Sequence, residues 1–164
     1  MKRVLGVWCL VFGLPAIAAA QDMGIEIGKK APAAAVQTLD GKASDLSKFI
    51  GKQPVLMEFW AVWCPNCKEL EPSIKKLHDK YGKQISFVGV AVSVNQNPTL
   101  VKRYVENHKL EWPQVYDNDG NATDVYDVPA TSYVVLVDKA GKVVYTGLGG
   151  DQKLEPAIKK VLPQ

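Results

Sequence analysis

The sequence predicts one α/β domain in which a mixed β-sheet is covered by helices on both faces. Two apolar runs, residues 55–60 and 85–92, have the length of strands and almost no polar residues, which is typical of strands buried on both faces. A helical segment follows each run, and a strand pair with a closing helix ends the chain of 164 residues. This order of elements predicts the mixed sheet.

The first elements form an N-terminal β-hairpin extension. Residues 31–36 begin an extended segment, and Asp40-Gly41 is a typical hairpin turn. Ser44 is suited to cap a short helix over residues 44–49, and Gly51 to end it.

The middle of the chain alternates strands and helices. After the strand at 55–60, a helix is expected to open at Cys64 and run to Tyr81, with Gly82 as its stop. After the strand at 85–92, a helix is expected over residues 98–108, because Pro98 suits a first helical position.

The last third combines a helical insert with a hairpin. A short strand at 114–116 precedes a turn and a short helix to Tyr126, which with the helix before them make a central helical insert. Strands at 133–138 and 142–147 and a closing helix at 151–161 complete the domain.

Residues 1–20 are typical of a secretory signal peptide, which leaves residues 21–164 as the domain. Lys2 and Arg3 supply the positive start, and residues 4–20 carry no charge. An uncleaved membrane anchor is the alternative, since the run approaches the ~18–20 residues that span a bilayer. Either way the domain is expected outside the cytoplasm, as in the periplasm, where disulfides persist.

The cysteines indicate redox chemistry. Of three cysteines, Cys9 lies in the signal segment, so Cys64 and Cys67 are the pair left in the domain. A disulfide between them closes a very short loop, which adds little stability, so the pair is better explained as a redox disulfide than as a structural one. Zinc needs two more ligands, and His78 and His108 are not at ligand spacing, so no metal and no other cofactor is expected.

Position assigns a role to each sulfur. Cys64 at a helix N-terminus is favoured as a thiolate nucleophile by the free N–H groups and the helix dipole, and its sulfur is expected to be reachable from solvent. Pro65 suits the first helical position, and Asn66 completes the motif. Cys67, one turn on, can resolve a mixed disulfide on Cys64, while Trp63 covers one side.

Glu58 interrupts the apolar run at 55–60. A carboxylate in a central strand costs several kcal/mol unless it is neutral or paired, and burial raises its pKa. We expect Glu58 to take the proton of Cys67 and return it later. The alternative is that Glu58 lies at a solvated strand edge or pairs with a nearby lysine.

The segment from Glu58 to Lys68, with Pro72 after it, resembles the thioredoxin superfamily. The wider pattern of the chain is closer to the exported TlpA/ResA branch. The residues that match the spacing of that branch are Gly28, Ala31-Pro32, Asp40-Gly41-Lys42, Gly51-Lys52, Tyr126-Asp127-Val128, Asp138 and Gly141. The resemblance implies a thioredoxin-like fold and disulfide reduction outside the cytoplasm, often in apocytochrome c maturation. The order Cys-Pro-Xaa-Cys is similar to the reductant CcmG and to the oxidant DsbA.

One departure from that resemblance concerns the loop before the strand at 133–138. The superfamily has a cis-proline facing the cysteine pair, and an alignment without a gap puts Ser132 there, after Thr131. The alternative is a rearranged loop with a cis bond before Pro129. We expect Ser132 to replace the proline with a trans bond, which alters how a substrate backbone docks on this loop.

Four functions fit these residues. The first is a reductase that acts on protein disulfides and is regenerated by a membrane-embedded electron donor; an oxidase of protein dithiols is the second. A peroxiredoxin-like peroxidase is the third, although Arg103 is the one arginine after the signal segment that could brace its thiolate. A non-catalytic binding or chaperone domain is the fourth. Net charge is +3, or +1 without Lys2 and Arg3, which argues against a nucleic-acid partner, and we expect a monomer.

Overall fold

The structure, a computed structural model, describes residues 23–162, so the predicted signal segment at 1–20 lies outside the described residues. The strands are β1 (Ala35–Thr38), β2 (Ala43–Asp45), β3 (Val55–Trp60), β4 (Ser86–Val92), β5 (Gln114–Asp117), β6 (Tyr133–Val137) and β7 (Val143–Leu148). The helices are α1 (Pro65–Tyr81), α2 (Pro98–His108), α3 (Asn121–Val125) and α4 (Glu155–Val161), with a 3₁₀ helix at Leu46–Phe49. No helix within residues 23–162 is long and apolar enough to cross a membrane.

The seven strands form one mixed sheet in the order β2-β1-β5-β4-β3-β6-β7. The three central strands β5, β4 and β3 are parallel, and the outer strands are antiparallel to their neighbours. All six residues of β3 are buried, as the apolar run at 55–60 predicts. The predicted mixed α/β sheet is confirmed.

Alternating side chains of β3 enter two different cores. Leu56 packs with Leu70 and Ile74 of α1 and with Ile158 of α4. Met57 and its alternate neighbours belong to the other core, which includes Val101 of α2 and Ala122 of α3. Leu56 and Glu58 therefore face α1, whereas Trp60 at the end of β3 belongs to the core that includes Val101.

Two predicted boundaries are wrong. β1 begins at Ala35, within the segment predicted to be extended from residue 31, and the Ala31 N–H before it donates to the Gly141 carbonyl. Asp45, not Ser44, caps the 3₁₀ helix, since its carboxylate accepts from the Ser47 N–H at 2.8 Å. Helix α4 begins at Glu155 instead of Asp151. Residues 149–154 form a loop between β7 and α4, and Gln152 in this loop contacts Ser132.

Candidate active site

The cysteine pair lies where β3 ends and α1 begins. Cys64 is the N-cap of α1, Pro65 is the first helical residue, and the two sulfurs form a disulfide. The Cys67 N–H donates to the Cys64 sulfur at 3.1 Å. A backbone N–H of the first helical turn therefore points at the Cys64 sulfur, and this arrangement stabilises the negative charge of a thiolate.

The expected exposure of Cys64 is not observed in the disulfide state. Only 2% of Cys64 and 5% of Cys67 is exposed, whereas Trp63 beside them is 41% exposed. Both cysteines pack in the buried apolar cluster that includes Phe59 and Trp60. Position on the helix, rather than exposure, distinguishes the two sulfurs.

An apolar groove of about 430 Å³ adjoins the cysteine pair at Trp63. The indole N–H of Trp63 donates to the Val94 carbonyl at 2.8 Å, which fixes the ring as one wall. The groove is lined by Trp63, Val92, Val94, Thr123, Val128, Ala130 and Thr131. A partner reaching Cys64 along this side meets a mainly apolar surface that includes Thr131.

Ser132 closes the loop that carries Pro129 and Thr131. No peptide bond in residues 23–162 is cis, so Pro129 and Ser132 both follow trans bonds. Ser132 is fully buried with φ of +64°, and its N–H donates to the Phe59 carbonyl at 2.8 Å. This bond places the loop beside the end of β3, from which the chain continues to Cys64.

Gln152 holds this loop, and the sequence gives no signal for it. Its side-chain amide donates to the Ser132 carbonyl at 3.0 Å and to the Gly149 carbonyl at 2.8 Å. The Ser132 hydroxyl also donates to Gly149, at 2.9 Å, and Tyr145 donates to the Gln152 carbonyl oxygen. Ser132 is thus fixed by polar contacts at a position where the resemblance leads us to expect proline.

Glu58 is buried on the α1 side of the sheet. It is 7% exposed, and its Oε1 has no hydrogen-bond partner among the described residues. Burial, with a smaller contribution from the charge of Glu71, raises the pKa of Glu58 from 4.5 to about 8. The alternative of a solvated edge or a lysine partner is wrong, because β3 lies between β4 and β6 and no lysine within residues 23–162 pairs with Glu58.

A cavity of about 10 Å³ connects Glu58 to Cys67. Its walls are Glu58, Trp60, Cys67, Glu71, Tyr104, Leu110, Trp112 and Gln114. Such a volume is close to the lower limit for holding one water molecule. The buried carboxyl and the second cysteine therefore line the same cavity.

Glu71, in the wall of this cavity, is a second carboxylate that the sequence analysis did not single out. Its oxygens accept from Lys75 at 2.7 Å, Tyr104 at 2.9 Å and His108 at 3.0 Å. Burial alone would raise the pKa of Glu71, but these hydrogen bonds outweigh it and hold the pKa below its ordinary value. Helical spacing could have found this residue, since Glu71 follows Cys67 by four positions and Tyr104 precedes His108 by four.

The histidines and the arginine lie in other surroundings. His78 packs against the rings of Phe87 and Trp112. Within residues 23–162, no group of three or more metal-ligating side chains comes together. Arg103 is exposed on α2.

Comparisons with known proteins agree on one kind of chemistry. The model of the Redoxin family matches residues 26–162. The thiol-disulfide oxidoreductase ResA of Bacillus thuringiensis is 34% identical over 141 residues, which are 85% of this chain and 80% of that protein. The thioredoxin-like protein YneN of Bacillus subtilis is 29% identical, over 82% of this chain and 79% of its own.

Solved structures show the same fold. The thioredoxin domain of a thiol-disulfide oxidoreductase from Bacteroides vulgatus has a TM-score of 0.71 at 26% identity, over 84% of this chain and 99% of that one. A thiol:disulfide interchange protein from a Bacteroides species has a TM-score of 0.71 at 28% identity, over 84% of this chain and 91% of its own.

Proposed function

The chain belongs to the Redoxin family and is a thiol–disulfide oxidoreductase, and from this premise we propose that it is an exported reductase of protein disulfides. The observation that carries the proposal is the disulfide between Cys64 and Cys67 at the N-terminus of α1, beside a cavity that also contains Glu58. The reduced cysteine pair supplies two electrons, and the Glu58 carboxylate accepts the proton that must leave Cys67 before its sulfur can react.

The first step is attack by reduced Cys64. Its thiolate forms a bond to one sulfur of the partner's disulfide, the partner's S–S bond breaks, and the partner's other sulfur leaves as a thiolate. The free N–H groups at the start of α1 favour the attacking charge. The apolar groove at Trp63 accommodates the partner chain next to the mixed disulfide.

Resolution by Cys67 is the second step. The Glu58 carboxylate accepts the thiol proton across the shared cavity, and the Cys67 thiolate attacks the Cys64 sulfur. The Cys64–Cys67 disulfide forms, and the partner's remaining sulfur leaves as a thiolate that takes up a proton. Two electrons have then passed to the partner, and a membrane-embedded dithiol donor restores the pair.

Location and substrate complete the proposal. The apolar N-terminal segment at residues 4–20 supports export to the periplasm, either with cleavage or as an anchored protein. The resemblance to the exported TlpA/ResA branch supports apocytochrome c as a substrate. Its disulfide is the group that Cys64 attacks in this reaction.

The test is to trap the mixed disulfide. Replacing Cys67 with Ala removes the resolving sulfur, so a partner attacked by Cys64 remains attached when the variant is expressed in its own host. The control variant also replaces Cys64 with Ala and should retain nothing. Capture of an apocytochrome or a maturation factor supports the reductase, capture of many newly exported proteins indicates an oxidase, and no adduct indicates a binding domain.

A further inference from the structure

We propose that Glu71, anchored by Tyr104 and His108 in the wall of the cavity that holds Glu58 and Cys67, is a positioning residue that sets the pH range of the resolution step. The proposal rests on the proposed function, since it concerns the proton that Glu58 takes from Cys67. It extends that function because the acid–base group in the cavity is then a pair of carboxyls, one reacting and one controlling.

Helix geometry brings Glu71 into the cavity. It follows Cys67 by four residues on α1, so both side chains lie on the same face, and Glu58 on β3 meets that face from the sheet. All three line the same cavity of about 10 Å³. Glu58 is 7% exposed and the Glu71 side chain is 14% exposed, so little solvent screens one carboxyl from the other.

Three donors hold Glu71 in its charged form. Lys75 donates to Oε1, the Tyr104 hydroxyl donates to Oε2, and His108 Nδ1 lies within 3.0–3.1 Å of both oxygens. The Tyr104 ring stacks on His108 with 3.7 Å between ring centres and packs against Trp60. Glu71 is therefore a fixed anion whose side chain is only 14% exposed.

The charged groups near Glu58 come from two helices. Helix α1 contributes Glu71 and, through it, Lys75, and α2 contributes Tyr104 and His108. In the part of the chain that the structure describes, Glu58 has no donor on Oε1, whereas Glu71 has three donors. The lysine and histidine contact Glu71 and not Glu58, so the charge that acts on Glu58 across the cavity is negative.

A fixed negative charge disfavours ionisation of Glu58. The charge of Glu71 adds to burial in raising the pKa of Glu58. Glu58 accepts the Cys67 proton only when it is ionised, so resolution slows below that pKa. Neutralising Glu71 lowers the pKa of Glu58, and the fall in rate then occurs at a lower pH.

The experiment follows the lifetime of the mixed disulfide between the reduced full-length protein and a peptide disulfide from pH 5 to 9. The rate of resolution should fall on the acid side of this range, and this fall is the acid limb of the profile. In Glu71→Gln, which keeps a carbonyl acceptor for Tyr104, the pH at the midpoint of the acid limb should be lower by about 1 unit, which is the lower end of the effect of a neighbouring charge. Glu69→Gln is the matched control, because it removes the same charge from α1 outside the cavity and should leave the midpoint unchanged. Glu71→Asp restores the charge and should move the midpoint back towards that of the original protein.

A second measurement does not depend on turnover. In the oxidised protein, ¹³C NMR titration of the Glu58 carboxyl should give a lower pKa in Glu71→Gln than in the original chain. A purely structural Glu71 would reduce the melting temperature and leave both midpoints in place, which would overturn the inference.

The inference and the proposed function fail in different ways. If Glu58→Gln removes the acid limb but Glu71→Gln leaves it in place, proton transfer by Glu58 stands and the role of Glu71 is refuted. If Glu58→Gln itself keeps the original profile, the proton-transfer step of the proposed function is wrong, and the role of Glu71 falls with it.

Discussion

Replacing Glu58 with Gln removes an ionisable group from a site that opposes its charge. The carboxyl is buried between β3 and α1, and its Oε1 has no donor among the described residues. Glutamine has nearly the same shape and no charge, so the packing around position 58 is retained. The variant therefore isolates what ionisation of Glu58 costs the folded state.

The magnitude follows from the two pKa values. A carboxyl with a pKa of about 8 in the folded chain and 4.5 when unfolded binds its proton more tightly in the folded state. Its contribution to stability is therefore greatest at low pH and is lost as the pH rises from 4.5 towards 8. Between pH 5 and pH 8.5 the loss amounts to about 4 kcal/mol, because each pKa unit corresponds to about 1.4 kcal/mol.

The assay is urea unfolding of the oxidised protein at pH 5, 6, 7, 8 and 8.5, with and without the substitution. The free energy of unfolding of the original chain should fall relative to that of Glu58→Gln by about 4 kcal/mol across this range. Other titrating groups contribute equally to both proteins and cancel in the difference. Parallel curves would refute the reasoning, since they would mean that Glu58 ionises as easily in the folded chain as in the unfolded one.

Three further predictions concern the rest of the site and the element beside it. At pH 7 the thiolate fraction of the reduced protein, measured by absorbance at 240 nm, should be well above the few per cent expected of an ordinary cysteine, and Cys64→Ala should abolish the thiolate absorbance. A thiolate fraction no greater than that of free cysteine would contradict stabilisation by the helix. Ser132→Ala removes a buried hydrogen bond and keeps the strained backbone, so chemical denaturation should show a free energy of unfolding lower by about 1 kcal/mol. Ser132→Gly also relieves the positive φ and should lower the free energy of unfolding by less; equal losses would exclude strain at this position. Asp117→Ala should cost about 3 kcal/mol in the same assay, because Asp117 is fully buried and accepts three hydrogen bonds at the start of α3, while the exposed Asp119→Ala should change stability by less than about 0.5 kcal/mol.

Local rules predict the sheet and the place of the cysteines well. The apolar run of β3 and the proline after Cys64 are both short-range signals, and each gives the observed element within a residue. Such signals work because burial and helix capping act over a few neighbouring residues. The same rules cannot predict an interaction between residues far apart in sequence.

Two of the omissions are tertiary contacts, whereas the cap at Asp45 instead of Ser44 is a local error. Asp117, expected only to form part of a turn, accepts hydrogen bonds from residues five and six positions later and caps α3, whose N-cap glycine has no side chain to do so. Gln152 meets Ser132 from twenty residues away, and its loop replaces the predicted first turn of α4. Polar contacts of this length depend on the tertiary fold, which propensity does not encode.

The register of one strand explains why the carboxyl occurs at position 58. Side chains alternate along β3, so a carboxyl at Met57 or Phe59 would enter the core on the opposite face of the sheet. At position 58 it faces α1, where Cys67 lies one turn from the helix start and Glu71 one turn further. The strand period of two and the helix period of 3.6 together bring these three residues to one cavity. Moving Glu58 by a single residue would bury the carboxyl on the opposite face of the sheet and remove it from the cavity that it shares with Cys67.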